Sequence, residues 1–155
     1  MDLRVRVANQ SDLMLAYRWA NDPLTREMNF KQGTVPLDTY MRLFSALLYD
    51  EDTLLLIVEG LEDHTWLPIA QVRFHIDGTM SLSIDNGYRG RHLATQVILA
   101  ALEFAKSNFP INTAIAYMRH ENIPSIKAFK RSGFSFNGEA IYKGHSCVEY
   151  IFRFD

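Results

Sequence analysis

The chain has 155 residues, 48% hydrophobic and 22% charged, proportions that give an ordered globular core and exclude a disordered or fibrous polypeptide. Its formal net charge is −2 and no run of Lys or Arg is dense enough to follow a phosphate backbone, so nucleic acid is not an expected partner. The single cysteine, Cys147, excludes an internal disulfide and a multi-cysteine zinc site; the segment from Met1 to Arg6 has no apolar signal-peptide core, and no apolar run reaches the ~20 residues of a membrane helix.

Residues 3–8 alternate Leu3, Val5 and Val7 with Arg4 and Arg6, the period of a half-buried strand. Ser11 is expected to open a helix carrying Leu13, Leu15, Ala16 and Trp19, which ends at Asn21-Asp22-Pro23 because a proline disfavours helical geometry just before it. Residues 24–33 give no clear period. A second helix is predicted over residues 37–48, with Tyr40, Met41, Phe44, Leu47 and Leu48 along one side.

Residues 53–59 form a continuous apolar run, 60–64 a polar turn, and 66–77 a second strand able to pair back on the first. On that second strand Gln71, Arg73 and His75 share one face, and Ala70, Val72, Phe74 and Ile76 the other. A polar face of this kind either lines a substrate pocket or meets solvent. Asp77-Gly78 predicts a hairpin into a short strand over 79–84.

After Asn86-Gly87 comes Arg89-Gly90-Arg91-His92-Leu93-Ala94, and then a helix with Val97, Ile98, Ala101, Leu102 and Ala105, made apolar nearly all round by Leu99, Ala100 and Phe104. No Ser, Thr, Asp or Asn precedes this helix to satisfy its first N–H groups. Two arginines and the positive helix end favour a pyrophosphate there, although an ordinary basic turn has the same composition. A strand over 112–117 follows, then a helix with Asn122 as cap, Pro124 in its first turn and Gly133 as left-handed C-cap. Residues 135–142 and 147–154 form a final hairpin around Gly144. Its apolar residues Tyr150, Ile151 and Phe152 belong either to the core or to pairing with a second copy as a homodimer.

The order β-α-α-β-β-β-α-β-α-β-β, without repeat or linker, describes one α/β (α+β) domain over 1–155: a mixed central β-sheet flanked by helices. The chain resembles a GNAT-family N-acetyltransferase over almost its whole length. Arg89, Leu93 and Ala94 fit the family's Arg/Gln-x-x-Gly-x-Gly/Ala loop, with His92 at the usual glycine. Asn122, Ser125, Phe129, Gly133 and Phe134 fill its second element, Asn-x-x-Ser/Ala-x-x-x-Tyr/Phe-x-x-x-Gly-Phe. The resemblance implies acetyl-coenzyme A as cosubstrate; the five histidines lie far apart in sequence, with no His-x-x-x-His pair or carboxylate cluster, so no metal is expected. The resemblance also implies a coenzyme track of Leu82, Ile84, Arg89, Gly90, Arg91, His92, Leu93, Ala94, Thr95, Asn122, Ser125 and Phe129.

Trp19-Ala20-Asn21-Asp22-Pro23, with Arg26 and Asn29, and residues 69–78 are similar to the branch that acetylates nucleotide-linked amino sugars. That likeness implies Asn21, Arg26, Asn29 and Arg73 as substrate contacts. Acetylation of a protein N-terminus or another small amine is the alternative, and a non-catalytic coenzyme-binding sensor a third reading. Phe129 cannot donate a proton to the leaving thiolate; Ser125, one helical turn earlier, either hydrogen-bonds the sulfur or is a capping residue near the helix start. For the base, His75 and Glu27 rank ahead of His120, Glu121 and a relaying water. A cytoplasmic setting and no membrane partner are expected.

Overall fold

The computed structural model describes residues 1–28, 33–90 and 92–155. β1 (Leu3–Val7), β2 (Thr53–Glu62), β3 (Thr65–His75) and β4 (Met80–Ile84) pair in that order as an antiparallel sheet. A second antiparallel sheet has the order β5 (Thr113–Met118), β7 (His145–Arg153), β6 (Ser135–Tyr142). The helices are α1 (Leu13–Ala20), α2 (Pro23–Met28), α3 (Leu37–Tyr49), α4 (Ala94–Asn108) and α5 (Ile123–Arg131). Apart from α2, the element order is the one read from the sequence.

Pro23 begins α2 instead of merely closing α1. Its fixed φ suits a first helical position, and the Asp22 carboxylate accepts the Thr25 N–H at 3.0 Å, as a cap does. The start of α1 also differs from expectation. Asn9, not Ser11, caps a 3₁₀ turn at Gln10–Asp12, and the α-helix proper starts at Leu13. β2 continues through Gly60 to Glu62, so the turn is confined to Asp63 and His64, both left-handed at φ 48 and 65.

The first sheet is covered on both faces. On one, Leu56, Val58, Ala70, Val72 and Phe74 meet Val97, Ile98, Ala101 and Leu102 of α4, and the same core extends to Ala114, Ala116 and Met118 of β5. Each large side chain fully buried here contributes about 1.5–3 kcal/mol. On the other face Leu55 and Ile57 pack with Trp19 of α1 and Tyr40 and Phe44 of α3. The polar set Gln71, Arg73 and His75 belongs to this second face, because Ile57 pairs with Gln71 and Leu55 with Arg73. It is therefore partly roofed by helices and is not an open solvent face. Contrary to the all-round apolar reading, α4 buries one side only, and Leu99 is 47% exposed.

The two sheets meet at the β3–β4 hairpin. The Ile115 N–H donates to the Gly78 carbonyl at 2.8 Å, and Thr79–Ile115 is the one parallel bridge among the described residues. Gly78 is required twice over: φ is +96, and a Cβ would stand 2.7 Å from the Thr113 carbonyl oxygen. Beyond this joint β4 and β5 run on in the same direction without pairing, so a wedge opens toward their C-terminal ends. Of the apolar residues of the final hairpin, Tyr150 is buried in the core at 5% exposure and is not placed to meet a second copy. No helix among the described residues is long and apolar enough to cross a membrane.

Candidate active site

The wedge presents an unpaired strand edge. The His75 N–H donates to the Thr79 carbonyl and the Asp85 N–H to the Ile69 carbonyl, so the odd-numbered residues of β4 turn their main chain toward β3. By alternation, the N–H and C=O groups of Leu82 and Ile84 point away from β3, into the gap. Their side chains face the α4 core. These two residues thus offer backbone donors and acceptors along one wall.

At the end of that wall lies the loop read as an anion cradle. Asp85 caps the 3₁₀ turn Asn86–Tyr88 by accepting the Gly87 N–H at 2.9 Å, and the Tyr88 hydroxyl donates to Glu62 at 2.6 Å. Gly90 and His92 then take left-handed backbones at φ 74 and 58. His92 therefore reproduces the conformation for which a glycine is the usual residue, and its imidazole is exposed. Leu93 stands at the N-cap of α4 with no side-chain capping bond, which leaves the first-turn amides of Ala94 and Thr95 without an intrahelical partner. Arg91 lies outside the described residues.

Arg89 is already engaged. Its Nη2 is 2.7 Å from Asp22 Oδ2 and donates to Thr25 Oγ1 at 3.0 Å, with a quarter of the side chain exposed. The cradle is thereby tied to the first turn of α2. Burial pushes the Asp22 carboxyl up, but the bonds from Arg89 and the Thr25 N–H carry it below the usual carboxylate range.

The opposite wall is the C-terminal end of β5 and the start of α5. Asn122 holds the N-cap position at φ −83 and ψ 61, but its side chain makes no capping bond, contrary to the expected cap. Ser125 is half-buried in the first turn, with no hydrogen-bond partner for its hydroxyl among the described residues. Phe129, expected along the coenzyme track, lies one turn beyond Ser125 with its ring turned inward. It is 3% exposed and sets its ring edge-on to Phe134 at 4.9 Å, a core position. Gly133, at φ 97, closes the helix as expected.

On the face away from α4, a cleft of about 710 Å³ opens beside the cradle, lined among others by Tyr17, Trp19, Asp22, Val35 and Asp85. Asp85 was not singled out from the sequence, and it joins the parts of the site. Its Oδ2 accepts Trp19 Nε1 at 2.8 Å and Arg18 Nη2 at 3.2 Å while its Oδ1 caps the following turn. Burial raises this carboxyl, and the Trp19, Gly87 and Arg18 donors lower it further than burial raises it. An Asp directly after a strand and before Asn-Gly was the available signal.

The sequence-predicted acceptor residues are only partly brought together. Both ends of the Asn21 amide are used, donating to the Val35 carbonyl at 3.2 Å and accepting its N–H at 2.8 Å, so Asn21 clamps the chain at the wall of the cleft that it also lines. Arg26 Nε is bonded to the Gly33 carbonyl and closes the same segment. Asn29 lies outside the described residues. Arg73 is half-buried on the cleft face of the sheet, with no hydrogen-bond or ion-pair partner among the described residues.

His75 lies far from the Ile84 end of the site. Ile84 pairs with Ala70, five residues along β3 from His75, which is roughly 17 Å at strand spacing. Its Nδ1 accepts the Asp77 N–H at the closed end of the wedge. Glu27 is exposed on α2, the short helix joined to the cradle. No group of three or more His, Cys, Asp or Glu side chains among the described residues is arranged to hold a metal.

A helix N-terminus with uncapped amides, at the carboxyl ends of two parallel strands that part from each other, is a ligand-binding arrangement of α/β enzymes that handle phosphorylated cosubstrates. The family model described as an acetyltransferase (GNAT) domain matches residues 2–135. The chain belongs to that family and is an acetyltransferase. Similar solved structures include a domain from Methanocaldococcus jannaschii DSM 2661, at 20% identity and TM-score 0.82 with 98% of each chain covered. The spermidine N-acetyltransferase of Vibrio cholerae, in complex with coenzyme A and spermine, is 16% identical at TM-score 0.83, covering 97% of this chain and 95% of that one. The aminoglycoside acetyltransferase AAC(6')-Ib in complex with coenzyme A is 16% identical at TM-score 0.81, with 98% and 95% covered. At these identities the likeness is one of fold. No curated protein matches the chain in sequence.

Proposed function

We propose that the chain, acting as one domain over 1–155, transfers acetyl from acetyl-coenzyme A to the primary amine of a nucleotide-linked amino sugar. The observation that carries the transfer chemistry is the unpaired edge of β4 leading into an uncapped helix end. In this reading the pyrophosphate lies on the first-turn amides of α4, beside Gly90 and His92, and the pantetheine arm runs along Leu82 and Ile84. The amine enters from the cleft beside Trp19 and Asp85.

The amine nitrogen attacks the thioester carbon, the carbonyl oxygen becomes an oxyanion, and the carbon–sulfur bond then breaks. An N–H of β4 in the gap, that of Ile84 foremost, is fixed before reaction and stabilises the oxyanion without reorganisation. The Ser125 hydroxyl donates to the leaving sulfur. A thiolate is a good leaving group, so this weak donor suffices where Phe129 has none. The ammonium proton passes to water or to Glu27, the one of the two ranked bases whose helix borders the cleft.

What supports a sugar nucleotide over a polycation is the condition of the carboxylates lining the cleft. Asp22 and Asp85 are both tied to arginines, so neither is available to hold the second amine of a polyamine. A cytoplasmic setting fits a buried free thiol at Cys147. Release of free thiol from acetyl-coenzyme A tests the reading, assayed against amino-sugar nucleotides, polyamines and peptide N-termini. Turnover with the first group and at least tenfold lower kcat/KM with the others is expected. Preference for a polyamine or peptide overturns the substrate class. Tight coenzyme binding with no thiol release from any amine overturns the transfer and leaves a sensor.

A further inference from the structure

One buried polar nitrogen among the described residues has no partner at all, and it sits beside the wedge. Arg119 follows β5 directly. Its Nε donates to Glu121 Oε1 at 2.6 Å, which fixes the guanidinium, while its Nη1 is buried without a hydrogen bond. Native proteins rarely leave such a group unanswered, and where they do a ligand or water is the usual reason. The side chain as a whole retains 23% exposure, so the guanidinium is reached from its other edge while Nη1 faces inward.

The face on which it lies follows from β5. Ala114, Ala116 and Met118 point into the α4 core, and Ile115 and Tyr117 point the other way. Arg119 continues the second set. Counting along both strands from the Thr79–Ile115 bridge brings residue 119, just past the end of β5, level with Ser83 across the gap, on the same face of the sheet as the cleft. Ser83 pairs with Gln71, and Ser81 with Arg73, on the same face of the first sheet. Arg73 is half-buried there without a counter-charge among the described residues. The backbone positions of the two arginines thus flank β4, about 10 Å or more apart by strand spacing, a gap that two long side chains can narrow.

The phosphates of the coenzyme have their own place at the N-terminus of α4, on the opposite face. We propose that Arg119 and Arg73 form an anion subsite for the acceptor, so that the amine acetylated by this enzyme carries a phosphate or carboxylate group. This rests on the transfer reading above and deepens it: Arg73 has no counter-charge among the described residues and Arg119 shares its own with Glu121, so the pair disfavours a polycation and grips the anionic part while the amine meets the thioester. Planar guanidinium groups suit bidentate recognition of either anion, which a lysine would hold only as a point charge.

The test is calorimetric titration of the full chain, first saturated with coenzyme A so that the cradle is filled. Uridine 5′-diphosphate serves as the phosphate probe and succinate as the carboxylate probe. Binding of at least one probe is expected, weakened tenfold or more in Arg119→Gln and in Arg73→Gln, and partly recovered in Arg119→Lys. Coenzyme A affinity should stay within twofold in each. Melting temperatures confirm folding, and Arg73→Gln reads the subsite should Arg119→Gln fail to fold. Preference between the probes identifies the anion. The proposal is overturned if neither probe binds the saturated enzyme, if both glutamine variants bind like the wild type, or if Arg119→Gln weakens coenzyme A instead. Failure of the probes alongside turnover of uncharged amines removes the subsite and leaves the transfer reading. Arginine-dependent probe binding without thiol release does the reverse.

Discussion

His92 adopts a left-handed backbone at φ 58, which costs a non-glycine residue on the order of 1 kcal/mol. The cost is tolerated because the following amides must face outward at the start of α4. His92→Gly relieves the strain but adds freedom to the unfolded chain, so stability should change by less than about 1 kcal/mol. Coenzyme affinity should stay within threefold if, as proposed, backbone amides hold the phosphates; a tenfold loss by calorimetry would instead give the imidazole a direct contact.

Arg89 presents a sharper choice at the same scale. The sequence suggests a phosphate ligand, whereas the structure shows it bound to Asp22 and Thr25. If that tie is its main work, Arg89→Ala raises KM for the acceptor more than for acetyl-coenzyme A, because α2 borders the cleft. If it pairs with phosphate, coenzyme binding weakens by roughly 1.5–3 kcal/mol. The geometry predicts the first pattern, and the ratio of the two KM changes decides it. Ser125→Ala should lower kcat by about tenfold with little change in either KM, the sign of an interaction made as the sulfur leaves. An unchanged kcat would return Ser125 to a structural role.

At the scale of elements, most of the architecture was readable because its signals are local. Alternation gave β1 and β3, Asp77-Gly78 the hairpin, Pro124 and Gly133 the limits of α5, and the missing cap the open end of α4. α2 escaped because its six residues bury nothing, so no apolar period marks it; its start is set by Asp22 and held by Arg89, whose bond to Thr25 spans 64 positions. The acceptor side was harder for the same reason. Gln71, Arg73 and His75 share a face by alternation, but only the pairing of β3 with β4 shows that His75 lies at the closed end of the wedge. The Asn21 amide is engaged by Val35, 14 positions away, a contact no local pattern marks. The meeting of the sheets supplies the prediction for this scale. Gly78→Ala should destabilise the protein by roughly 2–4 kcal/mol, combining a left-handed alanine with a carbonyl oxygen too close to its Cβ. Thermal unfolding reads this directly, and a wild-type melting temperature would contradict the joint described at Gly78.

For the whole molecule, the helices on the cleft face are bound to the sheet by carboxylates. Arg6 makes two bonds to buried Asp12, at 2.7 and 2.8 Å, and also approaches Glu59. Asp85 joins α1 to β4, and Asp22 joins α2 to the cradle. In Asp12, Asp22 and Asp85 burial raises the carboxyl and the donors outweigh it, leaving each below its usual value. A carboxyl lowered in the folded state binds its proton more readily when unfolded. The stability it gives is therefore full above the unfolded value, near pH 4, and is lost as pH falls through the depressed folded values. Melting temperature should hold level from pH 7 to about 5 and drop steeply below 4, with the drop blunted in Asp12→Asn, which begins less stable. A flat profile to pH 3 would mean these pairs do not secure the cleft face.

The central claim is that a thioester lies between the free edge of β4 and the start of α5, with its phosphates on the open end of α4 and the acceptor cleft on the opposite face. A crystal structure of the full chain with coenzyme A measures this most directly. The pyrophosphate is expected within hydrogen-bond distance of the amides of Ala94 and Thr95, the pantetheine alongside Leu82 and Ile84, and the sulfur near Ser125. Coenzyme density anywhere else, with the gap between β4 and β5 empty, would contradict it.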